Sequence, residues 1–495
     1  RMPYAALKNR LLDNIPEASD NAAHAFLKHC TELGLIEWIW PEAGLSAGWC
    51  GQLYNFLGYL PSAEMLTQAA FLLQWLRTTA RTLPFQTLAE AQAAQQAAHE
   101  QTQHFFGKYL PGTPLPRPEH LFYLDAGRPP QVALPPDAVT RAAAELRACW
   151  LLQTTQQQPR PYALLTHYAR QAIPPKDSMD ALDFCRGYIE QRPSHSALHL
   201  PPVHAPRFQG KIGATLEFFK TDEGEFRAVV NGLFPGGGKM YARWAHLLPA
   251  DFRDEMLRWA DLPAFSWQGC SNANFQPASA PGWLALPGDR AGAALPDAIR
   301  LGDCVVVLDE HLLPQLIDRQ SGKAVACTDL GLEAPDAKPP AIQVLWQLTV
   351  PQVSADMLLP PDMQRPPDRE CWGWRLPRQE WAGLVLRRAG WQVDEQEWRL
   401  WLPAHNDDRA FFRNLQSAAT RLGLPAHLWA SWPAQHGTAR GLCLTHPLLA
   451  ALLHKMLRQG GGPLLLTEML PSPDQYLASS GGHCATEFAI EFSTL

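Results

Sequence analysis

The residues best suited to chemistry lie in the run Asn231-Gly-Leu-Phe-Pro-Gly-Gly-Gly-Lys-Met-Tyr-Ala-Arg243. A strand-like segment enters three consecutive glycines and then a helix expected to begin near Lys239. Backbone amides in such a turn, with a helix N-terminus and two cations behind them, can hold a phosphate or a carboxylate. The run is not a P-loop: the spacing from Gly232 to Gly238 is wrong, and Met240 stands where magnesium would require Ser or Thr. The same residues also fit a tight strand-to-helix connection that binds nothing. Arg207 and Lys211, a short way upstream, join Lys239 and Arg243 in one cationic cluster if the two segments pack together. A cluster of that kind is the minimum for gripping the phosphates of a nucleic-acid end. Scattered surface cations are the alternative.

Asp125 is the carboxylate to single out, because it ends the expected strand Leu121 to Leu124 and strand ends commonly present polar groups to clefts. It equally suits a turn ahead of Gly127 and Pro129. His195, His199 and His204 are closely spaced, but no carboxylate or cysteine pattern completes a metal site around them, and structural histidines account for them. Nucleophilic catalysis finds little support, with no Gly-x-Ser-x-Gly elbow and no local Cys/His signature. Ten cysteines run from Cys30 to Cys484 without a Cys-x-x-Cys pair, which argues against a zinc knuckle or a disulfide framework and fits a reducing, cytoplasmic setting.

The elements that must position these residues are read from periodicity. Tyr4, Leu7 and Leu11 share one helical face, and Pro16 interrupts. Ala23, Phe26, Leu27 and Cys30 form a second face, Gly34 closes it, and Leu35 to Trp40 reads as a strand. Helix, turn, helix, strand is the order of a winged-helix unit, and an ordinary helical hairpin fits as well. Residues 63 to 110 are predicted helical, with an Ala/Gln-rich surface stretch from Ala89 to Gln103, and a further helix is expected from Pro136 to about Gln156. From His199 the period becomes that of sheet. One hairpin pairs Ala214 to Lys220 with Glu225 to Asn231, and a second pairs Gln315 to Gln320 with Lys323 to Thr328 across Ser321-Gly322. Pro351 to Pro367 reads as a linker, and a tryptophan-rich region of strands and helices follows, closing on the strand Glu487 to Phe492. The expected organisation is a multidomain α+β chain. It comprises a partial winged-helix start over 1–45, a mainly helical region over 46–198, a strand-rich α+β region over 199–350 and a C-terminal α+β region over 351–495.

Composition sets the outer limits. In 495 residues, 46% hydrophobic and 18% charged, there is material for a large core and more than one domain. The 45 prolines imply many irregular connections, and the net charge of −6 means that any polyanion contact must come from a local basic surface. No apolar run approaches the roughly 20 residues that span a bilayer, so no membrane partner is expected.

Taken in order, these segments resemble the class I lanthipeptide (lantibiotic) dehydratases over nearly the whole chain. Phe26 to Ile36 is similar to the later part of that family's leader-peptide recognition element, His120-Leu-Phe-Tyr-Leu-Asp125 to the strand ending in a family aspartate, and Val229 to Leu248 to its glycine-rich stretch entering an Arg-containing helix. Leu301 to Val307 with Leu316 to Val325 resembles the hairpin before a Pro-Pro segment, here Pro339-Pro340. Arg421 to Pro425, Leu465 to Pro471 and Ala485 to Phe488 resemble later landmarks. Two places depart from the family: Cys443 occupies the position of an Asp in Gly441 to Leu448, and Leu164 to Asp183 matches an Arg-Tyr-Gly segment weakly.

The resemblance implies the glutamylation, or aminoacyl-transfer, region. Its expected activity is transfer of an amino acid from aminoacyl-tRNA to a ribosomally made precursor peptide, either as glutamate on Ser/Thr or as a residue added at the C-terminus. Aminoacyl-tRNA is then a co-substrate and no bound cofactor is expected. Asp125 and Arg207 become the candidate catalytic residues, with Lys211, Lys239 and Arg243 holding the tRNA end. The implied partners are a precursor peptide with its leader, a separate eliminase or an N-terminal partner segment, and a second copy in a homodimer. Because the chain opens inside a helix and closes just after the last landmark, the expectation is that an upstream segment lies elsewhere and that elimination is not encoded here. A non-catalytic leader-peptide-binding subunit is the competing expectation.

Overall fold

The computed structural model describes residues 4–15, 19–32, 64–83, 87–109, 133–152, 155–191, 201, 203–242, 248–259, 261–265, 282–285, 298–331, 338–359, 375–432, 439–479 and 482–494. Contacts divide the chain into two compact units, residues 1–123 with 285–296, and residues 124–284 with 297–495. Helices and sheets occur together in an α+β chain.

In the first unit, helices α1 (Tyr4–Asn14) and α2 (Asp20–Glu32) are tied by a Lys8–Asp20 ion pair of 2.8 Å. Ser19 caps α2 by accepting from the Ala22 amide at 3.2 Å. Of the predicted apolar face, Ala23 and Leu27 are buried, whereas Phe26 is 53% exposed. The expected strand Leu35 to Trp40 lies outside the described residues. Helices α3 (Glu64–Thr82) and α4 (Leu88–Tyr109) follow. A reciprocal Thr87–Glu90 capping box starts α4, and Lys108 and Tyr109 at its end both reach Glu64 at the start of α3, at 2.6 and 2.8 Å. Along the Ala/Gln-rich stretch of α4 only Ala98 and Thr102 are buried among the described residues, as a surface helix requires.

The second unit is organised by sheets. Helix α5 (Pro136–Leu151) starts at a proline whose missing N–H costs nothing in the first turn, and it buries Ala138, Ala142, Leu146, Cys149 and Trp150 along one stripe. Short strands β1 (Thr155–Gln157), β2 (Ser178–Asp180) and β3 (His204–Pro206) alternate with α6 (Arg160–Ala172) and α7 (Ala181–Gln191). The predicted hairpin is present as β4 (Lys211–Lys220) and β5 (Phe226–Pro235), with Lys220 opposite Phe226 and a bulge between Thr215 and Leu216. Beyond it come α8 (Lys239–Ala242), α9 (Ala250–Trp259), β6 (Ala264–Phe265), β7 (Trp283–Ala285), β8 (Ile299–Arg300), β9 (Cys304–Leu308), β10 (Pro314–Asp318), β11 (Thr328–Asp329) and α10 (Pro340–Thr349). The second predicted hairpin turns where expected, but its return strand meets β10 only through the Ile317–Ala324 bridge. The main partner of β10 is β9, in five antiparallel pairs.

After residue 375 the chain forms β12 (Arg375–Leu376), β13 (Gln379–Trp381), β14 (Leu384–Arg387) and β15 (Gly390–Val393), then α11 (Glu395–Arg399) and α12 (Asp408–Leu422). It continues through β16 (His427–Ser431), β17 (Arg440–Cys443), α13 (Pro447–Gln459), β18 (Leu464–Glu468), β19 (Leu477–Ser479), β20 (Gly482–Cys484) and β21 (Phe488–Ser493). The central sheet has the order β13-β14-β5-β4-β21, so segments 199–350 and 351–495 share one sheet. The segment read as a surface linker carries core residues in its described part: Met357, Leu358 and Leu359 are buried against this sheet. Side chains alternate across this sheet: Ile212, Ala214, Leu216 and Phe218 pack with α5, Met357 and Phe492, while Phe219, Val229 and Val385 turn to the other face.

The C-terminal sheet, β12-β15-β18-β16-β17, is built as β-α-β-β-α-β with α12 and α13 packed against each other. Trp391, Trp398, Trp401 and Trp432 are buried in its core with Phe411 and Leu415, whereas Trp381 and Trp429 are exposed. Helix α12 is bounded by Asp407, which accepts from the Arg409 and Ala410 amides, and by Gly423, whose φ of 63° is a left-handed cap.

Candidate functional site around the glycine-rich turn

Strand β5 ends at Pro235, and the chain turns through Gly236, Gly237 and Gly238 into α8, with Lys239 as its first residue, as predicted. Each glycine answers a local demand. The Gly236 amide donates to the Lys211 carbonyl at 2.8 Å, and a Cβ there would lie 2.8 Å from the Lys211 backbone. Gly237 and Gly238 hold φ of 83° and 97°, values that L side chains rarely adopt.

The turn presents convergent amides, and the anion they hold is the chain's own Glu491. Its carboxylate accepts from the Gly237 amide at 3.0 Å, from the Gly238 amide at 3.0 and 3.1 Å, and from the Trp259 indole N–H at 2.8 Å. The period-2 pattern of β21 places it there: Phe488, Ile490 and Phe492 face the core shared with α5, so Glu491 points to the opposite side. Burial pushes the Glu491 carboxyl above the usual carboxylate range, against the opposing pull of bonds from Gly238, Trp259, Gly237 and Met240.

The lysines of the predicted cluster are drawn into internal ion pairs on either side of this turn. Lys239 donates its Nζ to the carbonyls of Asp329 (2.8 Å) and Gly331 (2.5 Å) and lies 3.7 Å from the Asp329 carboxylate. Lys338, 1% exposed, lies 3.7 Å from the same oxygen of Asp329, which also accepts from the Trp346 indole at 2.8 Å. Two ammonium groups thus share one carboxylate. Burial pulls the Lys239 ammonium below the ordinary lysine range, the charge of Lys338 adds to this, and Asp329 opposes it. Lys211 pairs with Asp261 at 3.2 Å, donates to the Trp259 carbonyl, and stands 4.7 Å over the Trp259 ring.

Lys211 and Lys239 are therefore brought to one turn, as the cluster reading expected, but both face internal acceptors. Arg207 lies apart, donating Nη1 to the Trp150 carbonyl at 3.3 Å beside α5. Asp125 and Arg243, with His195 and His199, lie outside the described residues. His204 sits exposed on β3. Among the described residues no group of three or more His, Cys, Asp or Glu side chains is placed to hold a metal.

A second charged network joins the central and C-terminal sheets. Arg388 donates to Glu217 at 2.6 Å and to the Leu470 carbonyl at 2.8 Å. Arg378 pairs with Glu468 and, at 3.2 Å, with Glu380, which also accepts from Arg227 at 3.0 Å. Burial holds the Arg388 guanidinium below its usual range, and the bond to Glu468 raises that of Arg378. Thiol chemistry is disfavoured at the buried cysteines, since burial pushes Cys149 up to about 11 and Cys185 and Cys304 up to about 12.

The residues that sequence reasoning missed are Glu491, Trp259, Asp329 and Lys338. The readable signal for the first was an acidic residue inside the otherwise apolar strand Phe488-Ala-Ile-Glu-Phe492, opposite a turn with amides to satisfy. Nothing in the sequence tied Asp329 to Lys239, which are 90 positions apart.

No family model matches this sequence, and no curated protein matches it. Solved structures do. The glutamylation domain TbtB from thiomuracin biosynthesis is similar at TM-score 0.63 and 18% identity, covering 99% of this chain and 63% of that one. The same domain bound to 5'-phosphodesmethylglutamycin gives 0.65 and 18%, over 98% and 63%. The tRNA dependent lantibiotic dehydratase MibB from Microbispora sp. 107891 gives 0.65 and 12%, over 98% of this chain and 52% of that chain. This chain thus has the fold of a lanthipeptide-dehydratase glutamylation region and spans about two thirds to one half of the length of those structures. No described helix is long and apolar enough to cross a membrane.

Proposed function

We propose that the protein is an aminoacyl-tRNA-dependent transferase that modifies a ribosomally synthesised precursor peptide. The observation that carries this reading is the fold likeness, which runs through 98–99% of the chain to proteins described as a glutamylation domain and a tRNA dependent dehydratase. In the glutamylation form, a Ser or Thr hydroxyl oxygen of the peptide attacks the ester carbonyl of aminoacyl-tRNA. A new C–O bond forms, the ribose oxygen departs, and the hydroxyl proton goes with it. In the alternative, ATP activates the peptide's C-terminal carboxylate, the amino group of aminoacyl-tRNA attacks it, an amide C–N bond forms, and the activated oxygen leaves with phosphate. Positioning of two large substrates and cationic stabilisation of the oxyanion supply most of such catalysis. Asp125 is assigned to orienting or deprotonating the attacking hydroxyl, with Arg207 as the second catalytic candidate, and Arg243 to the tRNA end. Lys211 and Lys239 support the turn through their internal pairs, so their role is to position it.

A precursor peptide with a leader, charged tRNA, a second copy of the chain and a separate eliminase make up the inferred partner set, in the cytoplasm where charged tRNA is available. The competing reading, a leader-binding subunit without catalysis, gains support from one observation: the glycine turn is already occupied by Glu491. Incubating the protein with the small peptide encoded beside its gene, total tRNA, synthetases, amino acids and ATP, then weighing the peptide, separates these readings. Added glutamyl mass on Ser or Thr indicates glutamylation, and a residue at the C-terminus indicates ligation. Peptide binding without any adduct indicates the subunit and overturns the transferase.

A further inference from the structure

The chain carries a net charge of −6, and two of the cations expected to grip RNA, Lys211 and Lys239, are spent on internal carboxylates. Many other described cations are similarly engaged: Arg227 and Arg378 with Glu380, Arg388 with Glu217, Arg399 with Glu395, and Arg421 with Glu397. One surface of the second unit differs.

Helix α12 buries Phe411, Leu415, Ala418 and Ala419, which leaves Arg409 and Arg413, one turn apart, on its solvent side. Helix α13 buries Ala450, Leu453, His454 and Leu457, which leaves Lys455 and Arg458 exposed. The two helices are pinned by a relay across their seam. His454 Nδ1 meets Asp408 at 2.7 Å, the Arg458 Nε–H donates to His454 Nε2 at 3.0 Å, and the imidazole stacks on Phe411 at 4.5 Å. That relay sets the end of α13 beside the first turn of α12 and brings the four cations onto adjoining turns. The acidic residues there are occupied. Asp408 serves His454, and Asp407 caps α12, its carboxyl held below the usual range by the Ala410 amide, with Arg413 and Arg409 contributing.

We propose that Arg409, Arg413, Lys455 and Arg458, displayed along the α12/α13 seam, form the docking surface for the phosphate backbone of RNA, an inference that rests on the transferase reading above. A rigid pair of helices with guanidinium groups one turn apart suits backbone phosphates, which fix position without reading sequence. The seam has no base-stacking aromatic among its exposed residues, so contact is with the backbone of a folded RNA.

The test uses the full chain with bulk uncharged tRNA, measuring affinity across a salt series for the wild type, for R409Q/R413Q/K455Q, and for the charge-preserving R409K/R413K. Arg458 is left in place because it supports His454. Counterion release gives about fivefold in affinity per phosphate contact at roughly 0.15 M salt. The triple variant should therefore bind on the order of a hundredfold more weakly, and the slope of log K against log salt should fall by about 2.7. The Lys variant should keep most of the slope. Unchanged affinity and slope in the triple variant, while the wild type binds tRNA and modifies peptide, overturns the seam and leaves the transferase standing. Loss of precursor-peptide binding with tRNA binding intact makes the partner a peptide and also overturns it. A wild type that binds no tRNA even at low salt removes both readings.

Discussion

Replacing Glu491 by Ala removes the acceptor from three donors at once: the Gly237 and Gly238 amides and the Trp259 indole. Gly236, Gly237 and Gly238 are buried, so water reaches the orphaned amides poorly. At about 1–3 kcal/mol for each buried donor left without a partner, the gross loss is about 3–9 kcal/mol, partly offset because a buried carboxylate no longer has to be desolvated. Against a total of about 5–15 kcal/mol this is a large fraction. Glu491→Gln keeps one acceptor oxygen and the side-chain volume, and should lose about 1–2 kcal/mol. Urea unfolding gives the energies, and amide hydrogen exchange over residues 236–242 and 488–493 localises them. Exchange should accelerate in both peptides for the Ala variant. Added formate or acetate, which fits the vacated space, should slow it again. A loss below about 0.5 kcal/mol with unchanged exchange refutes the reasoning that the turn is built around a carboxylate.

Other predictions follow from the same charge centre. Asp329→Asn removes the carboxylate that Lys239 and Lys338 both approach and should cost about 3–5 kcal/mol, while Lys239→Met keeps the Lys338–Asp329 pair and should cost less than half of that in the same urea series. Because the folded pKa of Glu491 is raised, its contribution is fully present below the unfolded carboxyl pKa and is lost as pH rises through the folded one. Wild type should therefore lose stability relative to Glu491→Gln from about pH 4.5 upward, as thermal unfolding at a series of pH values would show. Gly238→Ala meets no atom closer than Met256 Cε at 3.8 Å, so its cost of about 1–2 kcal/mol is conformational. Gly236→Ala drives a Cβ into the Lys211 backbone and should disrupt the β4–β5 end more severely, seen as faster exchange there. Of Cys149, Cys185, Cys304, Cys327 and Cys443, alkylation of the native protein followed by peptide mass mapping should modify Cys443 first, because the other four are buried.

Much of the fold was legible because it depends on local periodicity. The β4–β5 hairpin, the start of α8 at Lys239 and the start of α5 at Pro136 follow from alternation, glycines and prolines within a few residues of one another. The sequence pattern carries α5 to about Gln156, five residues beyond Leu151, where the helix ends. The order of the central sheet was not legible, because β21 pairs with β4 across more than 270 positions, and no local pattern encodes that register. The site divides in the same way. The amides of the glycine turn could be read as an anion receptor, but the anion comes from Glu491 and the partner of Lys239 comes from β11, so the charges that fill and flank it were visible only in three dimensions. The resemblance to a known family reached further than residue chemistry, since it used landmarks along the whole chain.

The most direct test of the central claim follows a label from RNA to peptide. tRNA is charged with a mixture of radiolabelled amino acids, freed of synthetases and ATP, and mixed with the protein and its precursor peptide, with and without ribonuclease. For glutamylation, the account predicts that label moves to the peptide only when the protein is present and the RNA is intact, and that tandem mass spectrometry places it on Ser or Thr. For ligation, label transfer returns only on adding ATP, and it falls at the C-terminus. A peptide that binds the protein yet stays unlabelled under both conditions contradicts the account.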